Sequence, residues 1–286
     1  MTHVSKIPDH DHSDGKDHGH DHHHGHLHDH SHKPPQAPAE ALSTLEADLK
    51  IASTILEWES GDIFGHVGVR MPGGEGIACK LFRPAGMNKG EEDWLVHFDY
   101  QGKKIGGIGT PPFESPIYTE VFKRRPDVKA IAHTHSPACV AMSLAEKPLC
   151  AIHMQSAKFD YGVPVYPRPI HIKDEDEGYE LAQLLDTGKA LLIKGHGVVT
   201  VGNSIDEACM NAMYLERTAK IQGLAIALGF AGPSKEFMDE ILESRRRLIS
   251  KADAIEGRGA RGGYSNEWAY YKQKIERGEL WTRGWS

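Results

Sequence analysis

Three histidines carry the strongest chemical signal in this 286-residue chain. In "AIAHTHSP", His133 and His135 stand at i and i+2 at the end of an apolar run that reads as a buried strand. Side chains two apart on a strand share a face, so both imidazoles point the same way and can converge on one ion at about 2.1 Å. His196, in "LLIKGHGVV", also follows directly on a buried strand. Its neighbours Gly195 and Gly197 permit a sharp turn and close backbone approach. Each feature alone also fits polar residues at a strand end. Together, three imidazoles at the ends of two apolar strands predict a divalent-metal centre with open positions, a catalytic pattern; a structural site closes all four positions, usually with Cys. Glu114, in "TPPFESPIY", stands one residue before a Ser-Pro helix start. A carboxylate there is a metal ligand, an acid/base that moves a substrate proton, or a surface or helix N-terminal charge.

The flanking pattern predicts what positions these groups. A helix should start at Ser43, with Glu46 completing a capping box and Leu45, Leu49, Ile51, Ala52, Ile55 and Leu56 as its apolar stripe. "HVGVRMPGG", "GIACKLFRPAG" and "WLVHFDYQGKKIGG" alternate between Gly and Pro punctuation and predict antiparallel strands. "SPIYTEVFKRR" predicts a helix with Ser115 as N-cap and Pro116 at the first helical position. "SPACVAMSLA" repeats that signature after the His133 strand, and "DEDEGYELAQLLDTG" predicts an amphipathic helix ending at Gly188. "KALLIKGHGVVTVGNS" reads as two strands around the Gly-His-Gly turn, then a long helix, then two more. This order predicts one α/β domain with a mixed, largely antiparallel sheet. No GxGxxG or GxxxxGK[ST] phosphate loop occurs.

Composition bounds the function. A net charge of -7 argues against nucleic acid and anionic membranes as partners. No apolar run approaches the roughly 20 residues of a membrane span, and no signal-peptide core is present. Cys79, Cys139, Cys150 and Cys209 form no CxxC pair and read as buried, reduced thiols, consistent with the cytoplasm. Residues 1–32 hold twelve of the nineteen histidines, interleaved with Asp, Gly and Ser. This tail is expected to be disordered, with Lys33, Pro34, Pro35 and Pro38 as a linker, and to bind extra metal ions without taking part in catalysis. A cloning artefact is its alternative reading.

From about Ala41 to Gly229 the chain resembles the class II aldolase/adducin-head family. "FESPIYTEVFKRRPDVKAIAHTHSPACVAMS" and "LLIKGHGVVTVGNSIDEACMNAMYLERTAKI" carry the resemblance. It implies a three-layer α/β/α sandwich around a mixed, mostly antiparallel sheet, and a homotetramer with active sites between subunits. It also implies Zn²⁺, or Mn²⁺, Fe²⁺ or Co²⁺, on His133, His135 and His196, with Glu114 as the catalytic residue that also ligates the resting metal. Segments of 1–38 (tail and linker), 39–232 (catalytic domain) and 233–286 (helical extension) follow. The departures bear on substrate. Where sugar-phosphate members carry a G-N-x-S-like phosphate loop, this chain reads "FGHVGVR", with Gly65, His66 and Gly68. Pro112 and Phe113 replace hydroxylic residues before the glutamate. His153 falls where family members place a histidine near the site, and Met154 follows it in place of a tyrosine.

Lost phosphate donors and gained apolar groups (Phe113, Phe64, Trp94) predict a non-phosphorylated small-molecule substrate, an aromatic or other hydroxy or oxo carboxylic acid. The expected reaction is decarboxylation or aldol cleavage, with the cation stabilising the enolate left when a C–C bond breaks. Arg70, or Lys80 or Arg83, is the candidate carboxylate clamp, with a solvated surface charge as the alternative. Phe113 and His153 are the other substrate-binding candidates. Two further readings stand beside this one: an Fe²⁺ oxygenase on the same ligands, and a non-catalytic, adducin-like scaffold. The aromatic C-terminal stretch (Tyr264, Trp268, Tyr270, Tyr271, Trp281) closes the pocket or an interface, or simply packs.

Overall fold

A computed structural model describes residues 38–81, 95–145, 147–256 and 264–279. The His-rich tail and linker up to Pro35, and Arg83, Trp94 and Trp281, lie outside the described residues.

Helix α1 (Pro38–Ser60) begins five residues before the predicted cap, so Ser43 lies within it. Proline's preset φ suits a first helical turn, and here it outcompetes the Ser43 signal. A meander follows: β1 (His66–Arg70), β2 (Ile77–Lys80), β3 (Leu95–Phe98) and β4 (Lys104–Gly107). Then come α2 (Ser115–Arg124), β5 (Ala130–Thr134), α3 (Pro137–Leu144), a 3-10 segment (Met154–Phe159), β6 (Val165–Tyr166) and α4 (Glu175–Leu185). The hairpin strands β7 (Ala190–Ile193) and β8 (Gly197–Gly202) precede α5 (Ile205–Ala227), α6 (Lys235–Glu256) and α7 (Tyr264–Glu276). The acid-rich start of α4 is capped by Asp174, whose side chain accepts from the Glu177 N–H.

The eight strands form one sheet in the order β4-β3-β2-β1-β5-β8-β7-β6. Every pairing is antiparallel except β6 with β7. Alternation along the strands splits the core into two layers. Val67, Val69, Ala130, Ala132, Leu192 and Val198 face α1, α3 and α5. Ile77, Ile131, Leu191, Ile193, Val199 and Val201 face α2 and α4. The result is the α/β/α sandwich with a mixed, mostly antiparallel sheet.

The C-terminal helices pack on this body. Ile241 and Leu242 of α6 bury against Ala151 and Ala157. Tyr271 of α7 is buried 6.0 Å from Trp58 and accepts a hydrogen bond from Arg217 (2.8 Å). Trp268 packs against the α1/α5 core. All four cysteines are free and buried, and burial pushes the Cys79 thiol up to about 12. Among the described residues no helix is long and apolar enough to cross a membrane.

Candidate metal centre

His133 is the fourth residue of β5, on the same face as Ile131, so its ring emerges on the α2 side of the sheet. His135 lies one residue past the strand end. The β7–β8 turn brings His196 to the same edge, because Gly195 adopts φ +65°, a region that favours glycine. Gly197 is required by space: a Cβ there would stand 2.6 Å from the Thr134 carbonyl, 3.1 Å from the His135 ring and 3.3 Å from the His133 ring. The three rings meet with centroids 4.9, 5.2 and 5.1 Å apart.

Each ring is oriented through Nδ1. His133 Nδ1 lies 2.9 Å from the Val198 carbonyl, His135 Nδ1 2.7 Å from Asp62 Oδ2, and His196 Nδ1 2.8 Å from the Ile170 carbonyl. Those partners only accept, so each Nδ1 carries the proton and each Nε2 presents a bare lone pair. The Nε2 atoms of His135 and His196 then face each other at 3.2 Å. His133 Nε2 is buried with no hydrogen-bond partner among the described residues. Lone pairs gathered in this way repel unless a cation sits among them, which is the arrangement seen in histidine metal sites with their Nδ1 groups anchored. The residues fit a divalent ion.

Glu114 completes the set. With the histidine ligand atoms, its carboxylate forms a group of four atoms all within 4.8 Å of one another. Oε2 is 3.3 Å from His133 Nε2, and Oε1 is 3.6 Å from His196 Nε2. Helix α2 starts one residue earlier than predicted, making Glu114 rather than Ser115 its N-cap. The turn tightens because the Ser115 N–H already bonds the Pro112 carbonyl (2.9 Å). The Glu114 side chain does not cap its own helix; it turns to the histidines and accepts from the Ile172 N–H at 3.1 Å. Burial alone would raise its pKa, but the neighbouring His133 and His196 rings and that N–H hold the carboxyl well below the usual carboxylate range. Burial, with His133 beside it, pushes His196 down to about 4.

Glu114, His135 and His196 line one wall of a cavity of about 920 Å³, with His133 buried behind them. Phe64, Leu81, Pro111, Pro112 and Phe113 supply apolar wall; Phe113, 91 % exposed, lies at the rim. His66, His171 and Lys173 also face it.

Not every candidate reaches this cavity. Arg70 is committed elsewhere: it donates to the carbonyls of Val128 (2.8 Å), Phe122 and Arg125 (3.1 Å) and to the Tyr100 hydroxyl (2.9 Å), and it stacks over Phe122 at 4.6 Å. A guanidinium so engaged fastens β1 to the α2–β5 connection and leaves nothing for a substrate carboxylate. Lys80, almost fully buried, pairs with Glu57 and reaches the Ile63 (3.4 Å) and Gly65 (3.3 Å) carbonyls. His153 caps the 3-10 segment and bonds Thr218 (3.1 Å), away from the ligand set.

Four contributors were not read from the sequence. Asp62 orients His135 from both its Oδ2 contacts, ring Nδ1 and backbone N–H (3.0 Å). Nothing marks an Asp in "SGDIFGH" as distinct from a turn residue. His171 places Nδ1 3.7 Å from Glu114 Oε1 and its ring 4.9 Å from that of His196. Its only signal was an isolated histidine in an extended segment. The Ile170 carbonyl and Ile172 N–H, which strap His196 and Glu114, carry no side-chain signal at all.

Fold and site define a class: an α/β/α sandwich that gathers three imidazoles and a carboxylate at the ends of its central strands, a group able to hold one divalent ion. The chain belongs to the class II aldolase and adducin N-terminal domain family, whose sequence model matches residues 56–223. It is 28 % identical over 184 residues to 3,4-dihydroxyphthalate decarboxylase of Arthrobacter keyseri, spanning 59 % of this chain and 72 % of that one. It is 29 % identical over 214 residues to L-fuculose phosphate aldolase of Haemophilus influenzae (70 % and 94 %). Among solved structures, L-fuculose 1-phosphate aldolase from Glaciozyma antarctica PI12 superposes with a TM-score of 0.68 at 25 % identity, over 88 % of this chain and 97 % of that one.

Proposed function

We propose that this protein is a metal-dependent lyase that breaks a C–C bond in a non-phosphorylated hydroxy or oxo carboxylic acid, by decarboxylation or aldol cleavage. The convergence of three Nε2 lone pairs and Glu114, with Glu114, His135 and His196 on the wall of a cavity, carries this reading. The family relatives include both a decarboxylase and aldolases, two reactions that share an enolate. We infer Zn²⁺ as the resident ion, from a donor set of imidazole and carboxylate. Such an ion supplies positive charge to the substrate oxygens as the bond breaks. The chain's own groups do the rest. Glu114, ionised at rest, accepts a proton from the substrate hydroxyl or returns one to the carbon that loses its partner. Phe64, Phe113, Leu81 and the two prolines offer apolar surface that suits a flat, apolar substrate body. Lys173 is the cavity's cationic side chain apart from its histidines among the described residues, placed to meet a substrate carboxylate.

We further infer the inter-subunit arrangement. Leu144 is 61 % exposed, yet its side chain lies 3.4 Å from the position of a Cβ at Gly195, beside the His196 ligand. Leu224 and Leu228 on α5 are 63 % and 80 % exposed. Apolar surface so close to the site suits a second copy of the chain in a homotetramer. The experiment for the reaction loads the protein with Zn²⁺ and screens hydroxy and oxo acids for CO₂ and aldehyde release, with His133→Ala as control. Full activity in that variant rejects the metal enzyme, and O₂ uptake in place of CO₂ or aldehyde replaces the lyase with an oxygenase.

A further inference from the structure

His66 opens β1 and lies in register with His133 on β5. The two rings stack at 5.8 Å and 27°, and the Tyr118 ring meets His66 edge-on at 6.3 Å. His66 is only 6 % exposed, yet it forms part of the cavity wall beside the ligand set. A side chain at position 68, on the same strand face, would strike Tyr118, because a Cβ there falls 2.6 Å from that ring. The start of β1 therefore offers the cavity an imidazole and no second polar group on that face.

The tautomer follows from burial. His66 Nδ1 is sealed from solvent and meets no hydrogen-bond partner among the described residues. A neutral imidazole has one N–H, and placing it on Nδ1 would orphan a buried donor. The proton belongs on Nε2, the nitrogen left to the cavity side. With its single proton on Nε2, the ring is a neutral hydrogen-bond donor. Neutral imidazoles in this state polarise substrate oxygens in other enzymes.

We propose that His66 is a further catalytic residue, whose Nε2–H donates a hydrogen bond to the substrate oxygen that gains negative charge as the C–C bond breaks. The electron pair of that bond moves onto this oxygen while CO₂ or the aldehyde leaves. His66 keeps its proton throughout; the pair returns to carbon when carbon takes up a proton. A fixed donor aimed at developing charge contributes about 10²-fold or more. This inference rests on the enolate reading given above.

The test compares His66→Met with His66→Gln, two unbranched side chains of similar length, one without and one with an N–H donor. The zinc-loaded full chain is titrated by calorimetry with oxalate, a planar, non-reacting mimic of an enolate, and with L-lactate, a tetrahedral hydroxy acid. Heats and zinc content are referenced to His133→Ala, so that the tail's histidines cancel. H66M is expected to weaken oxalate binding about 10²-fold and lactate binding by less than about threefold. H66Q is expected to recover at least about tenfold of the oxalate loss, with zinc at the wild-type level in both. Oxalate affinity unchanged in H66M, or weakened equally in H66Q, overturns the donor role. Zinc lost from both variants assigns His66 to packing against His133 and also overturns it. If the wild-type site itself binds no oxalate, the enolate reading and this inference fall together. If oxalate binding depends on His66 but no acid is turned over, only the reaction fails.

Discussion

Asp62→Asn should weaken zinc at the site about 10- to 100-fold. Asp62 Oδ2 accepts from His135 Nδ1 (2.7 Å) and from the His135 backbone N–H (3.0 Å), while Oδ1 accepts from the Phe64 N–H (2.8 Å). The amide retains one carbonyl acceptor but loses the charge and one oxygen. A hydrogen bond to a charged group contributes about 1.5–3 kcal/mol, or about 10- to 150-fold in a binding constant. Removing the partner that orients a metal-bound histidine costs about 10- to 100-fold, by a separate line of reasoning. The ranges overlap, which sets the expectation. The carboxyl also has a pH signature. Burial would raise its pKa, but the His135 hydrogen bond and the Phe64 N–H hold it well below the usual carboxylate range. A depressed carboxyl adds stability above its unfolded value of about 4 and loses it as pH falls further. The metal-free wild type should therefore lose stability below about pH 4 that D62N never had. Affinity is measured by chelator competition on a chain starting at Ala37, so that the tail does not compete, alongside thermal melts from pH 7 to 2. Zinc affinity within about twofold of wild type in a folded D62N would refute the claim that Asp62 orients the ligand.

Glu114→Gln should keep zinc within about tenfold and lower kcat by about 10²- to 10⁴-fold on whichever acid is turned over; unchanged kcat would remove Glu114 from proton transfer. Arg70→Met should cost about 2–4 kcal/mol in urea unfolding, since it strands three carbonyls and a hydroxyl, and should leave acid affinity unchanged. A large rise in KM without loss of stability would restore Arg70 as a substrate clamp. Gly197→Ala should cost about 1–3 kcal/mol through its contacts with Thr134, His135 and His133, and reduce zinc occupancy. Both quantities unchanged would show that the turn has room to yield. Burial lowers the His133 pKa, but Glu114 outweighs it and the net shift is upward. Protons compete with metal for His133 Nε2, so zinc affinity should start to fall, as pH drops, above the ordinary histidine value of about 6.5. Affinity that stays flat from pH 8 to 5.5 would contradict that shift.

That the three histidines would meet was legible because its signals are local. Period-2 alternation puts His133 and His135 on one face at a strand end, and the glycines around His196 mark a close approach that the contacts with Thr134, His133 and His135 make physical. The antiparallel meander, the hairpin around His196 and the long α5 follow from the same short-range patterning. Helix starts were less secure: α1 begins at Pro38, ahead of Ser43, and Glu114 takes the N-cap of α2 in place of Ser115. Only the tertiary structure showed which candidate charges are committed to the protein itself. Arg70 and Lys80 look like clamps in sequence but end on carbonyls brought up by distant segments. Asp62, 73 residues from His135, and the Ile170 and Ile172 backbone groups became orienting partners only when the chain folded around them. Ligand types and their spacing are written along the chain. The hydrogen bonds that aim each ligand join residues far apart in it, and no periodicity encodes them.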